Sequence, residues 1–253
     1  MSTALDFTPA PGAATAGRRV LRHARTEVQL LVRNGEQLLL ALAIPLLVLT
    51  VGGIAGGRWG DLSVLAPSVL ALAVWSSAFT SVAISTGFER RSGVLERLAA
   101  TPLQKSGLLA GKAVGIVAII IFQLLVITAA GLYIGWRPGF RATSGAIAAV
   151  LVVLAVATFV CWALALGGRL RAELTLGLAN LVYVLLLVGG GLVIPVNRYP
   201  VALRPIVQAL PTAALGEGLR MAASGVVLGW PILVLLGWLA VGVMVARKAF
   251  RWT

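Results

Sequence analysis

The chain has 253 residues, of which 59% are hydrophobic and only 11% are charged, and its mean hydropathy is +0.99. A soluble core of this size does not need so much apolar surface, so the composition predicts an integral membrane protein. The 21 Lys and Arg against 8 Asp and Glu indicate positive loops beside membrane spans, in preference to a nucleic-acid-binding surface. His23 is the only histidine, which excludes a metal or catalytic cluster built on several histidines.

The N-terminal part divides into two segments before the first apolar run. Residues 1–16 are rich in Ala, Pro, Thr and Gly without periodicity, which predicts a disordered tail. Residues 17–36 place apolar side chains at helical spacing with arginines mostly on other faces, which favours an amphipathic helix in the headgroup layer over a solvated basic arm. The first apolar run starts near Leu38 and is as long as a span, so we expect no cleavable signal peptide.

Six apolar segments are long enough, at about 20 residues, to cross the hydrocarbon as helices. The predicted fold class is therefore an all-α membrane protein, with residues 17–253 as one transmembrane domain. The Pro-rich segment 195–226 predicts short broken helices on the outer side before the last span, in preference to an irregular loop. The predicted spans are 38–57, 62–88, 113–134, 147–166, 174–194 and 227–246.

Basic residues are distributed unequally between the two sides that these spans define. One side carries both termini and fifteen Lys and Arg, and the other side carries six. Since Lys and Arg accumulate in cytoplasmic flanks, both termini are predicted to lie in the cytoplasm.

The connection between the second and third predicted spans is unusually charged. Residues 88–103 read FERRSGVLERLAATPL, in which Val94, Leu95 and Leu98 share one helical face. Thr101-Pro102 ends the helix, because a residue before proline is disfavoured in the α region. Such a helix rests on lipid headgroups or binds a protein groove, and the mixture of Glu and Arg favours the groove.

This stretch, followed by G-K, resembles the signature of ABC-2 type transporter permeases, which reads roughly E-R-E-x-G-T-L-E-x-L-x-x-T-P. The chain departs from that pattern at Arg91, where an acid is common, and at Val94, where Thr is common. The basic helix, the six spans and the broken outer helices also fit the family, and the subgroup most similar is the bacterial daunorubicin-resistance-type drug exporters. The matching positions are Glu89, Arg90, Gly93, Leu95, Glu96, Leu98, Thr101, Pro102, Gly111 and Lys112.

The resemblance implies a half-transporter in a bacterial inner (plasma) membrane. Two copies of a separate ABC ATPase would bind ATP and Mg, and a second permease, identical or paralogous, would complete the pathway among membrane lipids. The helix 89–101 would be the coupling helix seated in the ATPase. The implied coupling residues are Glu89, Arg90, Arg91, Gly93, Leu95, Glu96, Arg97, Leu98, Thr101 and Pro102.

The chain itself is predicted to be neither an enzyme nor a holder of a cofactor or metal. A phosphate-binding loop needs G-x-x-x-x-G-K-[ST]. In the nearest fragment, GLLAGK at 107–112, the first glycine is not at the required spacing from the second, and Ala113 follows where Ser or Thr is needed. ATP hydrolysis is therefore expected only from the partner.

The resemblance also implies that the second and fifth spans line the interface between permeases. In the second span Ser77, Ser81 and Ser85 recur every four residues, which indicates either a polar stripe or close helix packing. Since few charges lie in the spans, an amphipathic or lipophilic substrate suits the pathway. The candidate pathway residues are Ser77, Thr80, Ser81, Asn180 and Tyr183.

The function predicted is ATP-driven export of drug-like or lipid-like compounds, including multidrug efflux and antibiotic resistance. Export of a polysaccharide or glycolipid is the first alternative. A membrane-embedded lipid-modifying enzyme needs clustered acids or metal ligands, whereas Asp61 and Glu217 are expected to be isolated on the outer side. A channel or secondary transporter favours intramembrane charges or inverted repeats, neither of which is evident.

Overall fold

The computed structural model describes residues 14–33, 35–56, 61–94, 97 and 105–249. This part of the chain is helical, with no β-strand, which confirms the predicted all-α membrane fold. Among these residues five helical stretches are long and apolar enough to cross a membrane: 62–91, 113–133, 142–167, 172–189 and 230–248. The first predicted span contains the shorter apolar helix Leu42–Ala55, so a count of six spans stays a prediction.

The described part of the chain starts with α1 and α2, and the second predicted span is one helical run in which a π-helical segment separates α3 from α4. The remaining long helices follow in sequence, interrupted before the last by two 3₁₀ turns, Val196–Arg198 and Val201–Leu203. The bounds are α1 Ala16–Arg33, α2 Gly35–Ala55, α3 Leu62–Trp75, π segment Ser76–Ser81, α4 Val82–Arg91, α5 Lys105–Tyr133, α6 Ala142–Gly167, α7 Ala172–Gly189, α8 Arg204–Gln208, α9 Pro211–Ala223 and α10 Trp230–Ala249.

The helix bundle has two ends that differ in their elements. The end that carries α1, the last turn of α4 and the start of α7 is called the Arg-rich end. The end that carries the connection between α5 and α6 and the segment 190–229 is called the opposite end.

The centre of the bundle is α3 together with the π segment. All residues of 66–75 are buried, and α2, α5, α6 and α9 pack around them. Trp75 stacks on Phe79 with ring centroids 4.3 Å apart and meets Phe159 of α6 edge-on at 4.8 Å. These three rings belong to the packed hydrophobic core, because each side chain is at least nine-tenths buried.

The amphipathic helix α1 packs along α5, on the half of α5 that lies nearer the Arg-rich end of the bundle. Ala24 is buried at this contact, whereas Leu21 is 70% exposed and available to a headgroup layer. The helix covers Ala16–Arg33, close to the predicted 17–36.

The Pro-rich segment forms short helices, as predicted, because proline is favoured in the first turn of a helix and disfavoured inside it. Pro205 and Pro211 lie in the first turns of α8 and α9. α9 does not lie on the surface: it is buried between α3, α6 and α10 along most of its length. This segment therefore enters the bundle from the opposite end.

The fifth predicted span ends five residues earlier than expected, at Gly189 instead of Ile194. Gly191 has φ +68°, which stops helix propagation, and a Cβ atom there would lie 2.7 Å from the Cβ atom of Ala213. The chain turns at this point so that α9 can pack against it.

Candidate functional site

The last turn of α4, which contains Arg90 and Arg91, is joined to the next connection at the Arg-rich end by two side-chain contacts. Arg90 Nη1 donates a hydrogen bond of 3.0 Å to the carbonyl oxygen of Gly168. Arg91 forms an ion pair with Glu173 in the first turn of α7. Two predicted coupling residues therefore bind back onto the membrane bundle and connect the end of the second span to the start of the fifth.

The Arg91–Glu173 ion pair is a surface contact. The two side chains are 63% and 64% exposed, so water screens their attraction and the pair contributes little to stability. Glu173 also lies at the N-terminus of α7, where a carboxylate is favoured by the helix dipole. The pair is therefore a weak contact between the last turn of α4 and the first turn of α7.

Glycines allow α4 to approach α6 and α7 closely at the same end. A Cβ atom at Gly167 would lie 2.5 Å from the carbonyl oxygen of Ala83, a distance at which backbone has to move. A Cβ atom at Gly87 would lie 3.2 Å from the Cβ atom of Thr175. Small residues permit this approach between membrane helices. The end of α4, the end of α6 and the start of α7 therefore form one packed unit.

The predicted coupling helix 89–101 is not continuous at its start. Glu89, Arg90 and Arg91 form the last turn of α4, and the chain then turns at Ser92 and Gly93. Gly93 has φ +69°, a conformation that side-chain-bearing residues rarely adopt, and it ends the helix. Ser92 donates its backbone N–H to the carbonyl of Phe88, so it closes α4.

After the turn at Gly93, the backbone N–H of Arg97 donates to the Gly93 carbonyl at 3.2 Å, and the Arg97 side chain is exposed. The other predicted coupling residues lie outside the described part of the chain, and their role stays a prediction. They are Leu95, Glu96, Leu98, Thr101 and Pro102.

The glycine of the G-K pair has a packing role. A Cβ atom at Gly111 would lie 2.4 Å from Cδ2 of His23, so the absence of a side chain on α5 makes room for the imidazole of α1. This contact seats the amphipathic helix on α5, which enters the bundle directly after the coupling segment.

Ser77 is the one candidate pathway residue with a buried side-chain partner on another helix. Its hydroxyl lies 2.7 Å from Oε1 of Gln123 on α5, and both residues are almost fully buried. Ser77 belongs to the π segment, a feature often found at functional sites. Gln123 was missed at the sequence level, although an amide within an apolar run is the signal that identifies such a residue.

The remaining candidate pathway residues differ in how far they are buried. Thr80 and Ser81 are half-buried in the π segment, and Tyr183 packs half-buried against the core from α7. Asn180 lies on the exposed face of α7, among leucines and valines that are roughly half exposed. Asn180 is therefore exposed within this single chain, whereas Thr80, Ser81 and Tyr183 are partly covered.

A buried charged cluster holds α9 in place at the opposite end, and its centre is Arg220. Arg220 is 7% exposed and donates to Ser68 Oγ at 2.8 Å, thereby linking α9 to α3. It also donates to the carbonyl oxygens of Gly191 and Leu192 at 2.8 and 2.9 Å. A buried guanidinium needs such partners, because an unpaired charge in the interior is costly.

Glu217 completes this cluster, so the expectation that it is isolated is wrong. Its carboxylate accepts from Arg220 Nη2 at 3.0 Å and from the backbone N–H of Val196 at 2.6 Å. The i, i+3 spacing of Glu217 and Arg220 on one helix was the sequence signal for the pair. Within the described residues, no three His, Cys, Asp or Glu are placed to hold a metal ion.

In a comparison with known families, the model of the ABC-2 type transporter family matches residues 18–223, from the first turn of α1 to the end of α9. A search of the curated proteins found no match.

Proposed function

This chain belongs to the ABC-2 type transporter family and has the membrane domain of an ABC permease subunit; we propose that it exports amphipathic or lipophilic compounds. In this proposal two copies of a separate ATPase, with bound ATP and Mg, supply the energy. The chain lies in a bacterial inner membrane with both termini in the cytoplasm, so its Arg-rich end faces the ATPase.

The observation that carries the proposal is the packed unit at the Arg-rich end. The segment after Gly93 is the coupling segment, and it follows α4 directly. Because Gly87 and Gly167 let α4 pack closely on α7 and α6, and Arg90 binds Gly168, a displacement of the coupling segment moves α4 and α7 together. A rigid connection of this kind biases a two-state pathway, since packed helices shift as units.

A second permease is proposed to cover the exposed face of α7. Within this chain, only 17% of the apolar stretch of α7 is buried. The buried fraction is the same in α10, whereas it is 72% in the helical run 62–91. Asn180 lies on this face, and an amide in the membrane is usually hydrogen-bonded across a helix interface. The partner permease, identical or paralogous, therefore packs on α7.

The proposed pathway runs between the two permeases, beside the π segment. The Ser77–Gln123 pair and Thr80 supply hydrogen-bonding groups there, and no charged side chain lies within the π segment or α7 beyond its first turn. Such a pathway favours compounds with large apolar surfaces and few charges over ions. Drug exporters of the daunorubicin-resistance type are the narrower assignment that we propose.

The first experiment is purification of the tagged full chain from membranes of its native host, with mass spectrometry of the associated proteins. We expect an ABC ATPase in amounts comparable to the permease. The purified complex is then placed in proteoliposomes, and uptake of an anthracycline by inside-out complexes is measured by fluorescence. ATP-dependent uptake supports the proposal. Uptake that needs no ATP, or a preparation that contains no ATPase and hydrolyses ATP by itself, overturns it.

A further inference from the structure

A cleft of about 370 Å³ lies between α5 and α6, away from the exposed face of α7. Although α5 and α6 are consecutive, they scarcely touch each other, whereas both pack against α3. The floor of the cleft is formed by buried residues of α3, α5, α6 and α9, namely Leu70, Ile120, Val156 and Leu219.

The cleft opens sideways, toward the surface that the lipid bilayer covers. Its lips include Ile121 on α5 and Val153 on α6, which are 53% and 63% exposed, above a floor that is almost fully buried. The lining side chains are apolar except for that of Thr128. An apolar space of this kind does not retain water, so hydrocarbon is the medium that fills it.

The length of the cleft matches one membrane leaflet. On α5 it extends from Val117 to Thr128, which corresponds to about 16 Å at about 1.5 Å per residue. The hydrocarbon of one leaflet is about 15 Å thick, half of the roughly 30 Å of the whole bilayer. A single extended lipid chain that lies parallel to the helices therefore fits the slot, whereas a helix, about 10 Å across, needs a wider groove.

Where the cleft reaches Phe140, toward the opposite end of the bundle, it has the features of a membrane interface. Phe140 lines it, supported edge-on by buried Trp136 with ring centroids 6.2 Å apart. Arg141 follows Phe140 at the start of α6, and its side chain is exposed and passes close to Gly225. Aromatic rings with an adjacent cation are typical of the level at which lipid phosphates lie.

We propose that this cleft seats one acyl chain of a resident phospholipid, with the lipid phosphate at Arg141. The lipid fills a space that would otherwise separate α5 from α6, and it thereby holds both helices against α3. The site lies apart from the proposed interface at α7 and does not depend on the transported substrate.

The test uses the complete transporter in vesicles of phosphatidylethanolamine and phosphatidylglycerol that contain phosphatidylglycerol with a photoreactive diazirine in its acyl chain. After illumination, we expect labelled peptides from both 117–128 and 148–156. Ala148→Phe, which places a ring in the cleft, should lower this labelling several-fold. Val150→Phe is the matched control, because Val150 is 47% exposed on the same helix and does not line the cleft.

Equal labelling in Ala148→Phe and Val150→Phe means that the lipid is only part of the bulk bilayer, and this overturns the proposal. Ala149→Phe, a second substitution in the lining, provides the same readout if Ala148→Phe is not monodisperse in detergent. Arg141→Gln should reduce labelling by the phosphatidylglycerol probe more than labelling by a diacylglycerol probe, which has no phosphate, and an unchanged ratio of the two rejects the phosphate contact. Loss of the label during ATP turnover would identify the lipid as transported cargo and would also contradict a resident site.

Discussion

Arg220 of α9 donates a 2.8 Å hydrogen bond to Ser68 of α3, and this contact joins the segment that enters from the opposite end to the central helix of the bundle. The same guanidinium is paired with Glu217 at 3.0 Å. The position of α9 between α3, α6 and α10 therefore depends on a buried ionic group as well as on apolar packing.

Arg220→Met should destabilise the protein strongly, by about 3–5 kcal/mol, because Glu217 is then left as a buried charge without its cation. The double variant Glu217→Gln/Arg220→Met should recover part of this loss, since no charge remains. The measurement is the fraction that stays monodisperse in detergent after heating. Arg198→Gln is the control, because Arg198 is an exposed arginine at the same end of the bundle. An equal loss of thermal stability in this control would show that the buried Arg220–Glu217 pair contributes no more than a surface arginine.

Gly167→Ala should destabilise the Arg-rich end by about 1–3 kcal/mol, because the new Cβ atom would lie 2.5 Å from the carbonyl oxygen of Ala83. The same thermal measurement applies, together with ATP hydrolysis by the complex. Gly145→Ala is the matched control on the same helix, α6, where nothing lies within 4 Å and alanine favours the helix. Equal behaviour of the two variants would contradict the close contact between α4 and α6.

Ser77→Ala should cost about 0.6 kcal/mol and at most about 1.7, the range of hydrogen bonds between membrane helices. Gln123→Leu should cost a similar amount. In the double variant Ser77→Ala/Gln123→Leu the two losses should be less than additive, because the shared hydrogen bond is removed only once. Strict additivity in thermal stability would show that the two side chains act independently.

Arg91→Glu should leave thermal stability nearly unchanged, since the pair with Glu173 is exposed, but it should lower ATP-driven transport by the complex. The charge-reversed double variant Arg91→Glu/Glu173→Arg should restore transport, because it rebuilds the contact between α4 and α7. The readout is the ratio of transport to ATP hydrolysis. No rescue by the double variant would assign the effect of Arg91 to the ATPase surface instead.

Glu96→Lys is expected to weaken the association with the ATPase, since a reversed charge in a protein groove is repelled by its former partner. The chain should still insert and remain monodisperse. Recovery of the ATPase in the pull-down is the measurement, and Arg171→Glu serves as a charge-reversal control at another exposed position of the Arg-rich end. Undiminished recovery with substrate-stimulated ATP hydrolysis would remove Glu96 from the coupling residues.

Helix positions were predictable wherever an apolar run was long and uninterrupted. The second, third and fourth predicted spans lie within the observed helical stretches apart from a residue or two, because hydrocarbon requires every backbone group to be paired within the helix. The fifth span was predicted too long, since Leu192, Val193 and Ile194 are as apolar as a span although they follow the turn at Gly190–Gly191. Hydropathy does not distinguish a span from an apolar segment buried in protein.

The candidate site was predictable as a segment but not as a set of contacts. The E-R-R-S-G motif marked the charged connection as the candidate, whereas its two arginines bind Gly168 and Glu173, about 80 positions further along the chain. The sequence also contains no local sign that Ser77 meets Gln123, since a polar residue in a span does not specify its partner.

Composition and apolar run lengths were sufficient by themselves to determine that this is a helical membrane protein, because these properties are local and the bilayer imposes them on the chain directly. The ABC-2 type transporter family followed from the resemblance of the charged E-R-R-S-G motif to that family's signature, and the family model over residues 18–223 confirms it. Only the tertiary structure decided that α9 is buried beside α3, that Arg220 and Glu217 form its ionic core, and that α5 and α6 separate to leave a lipid-sized cleft. These features depend on which helices pack together, and helix packing is determined by side-chain shape and pairing over long sequence separations.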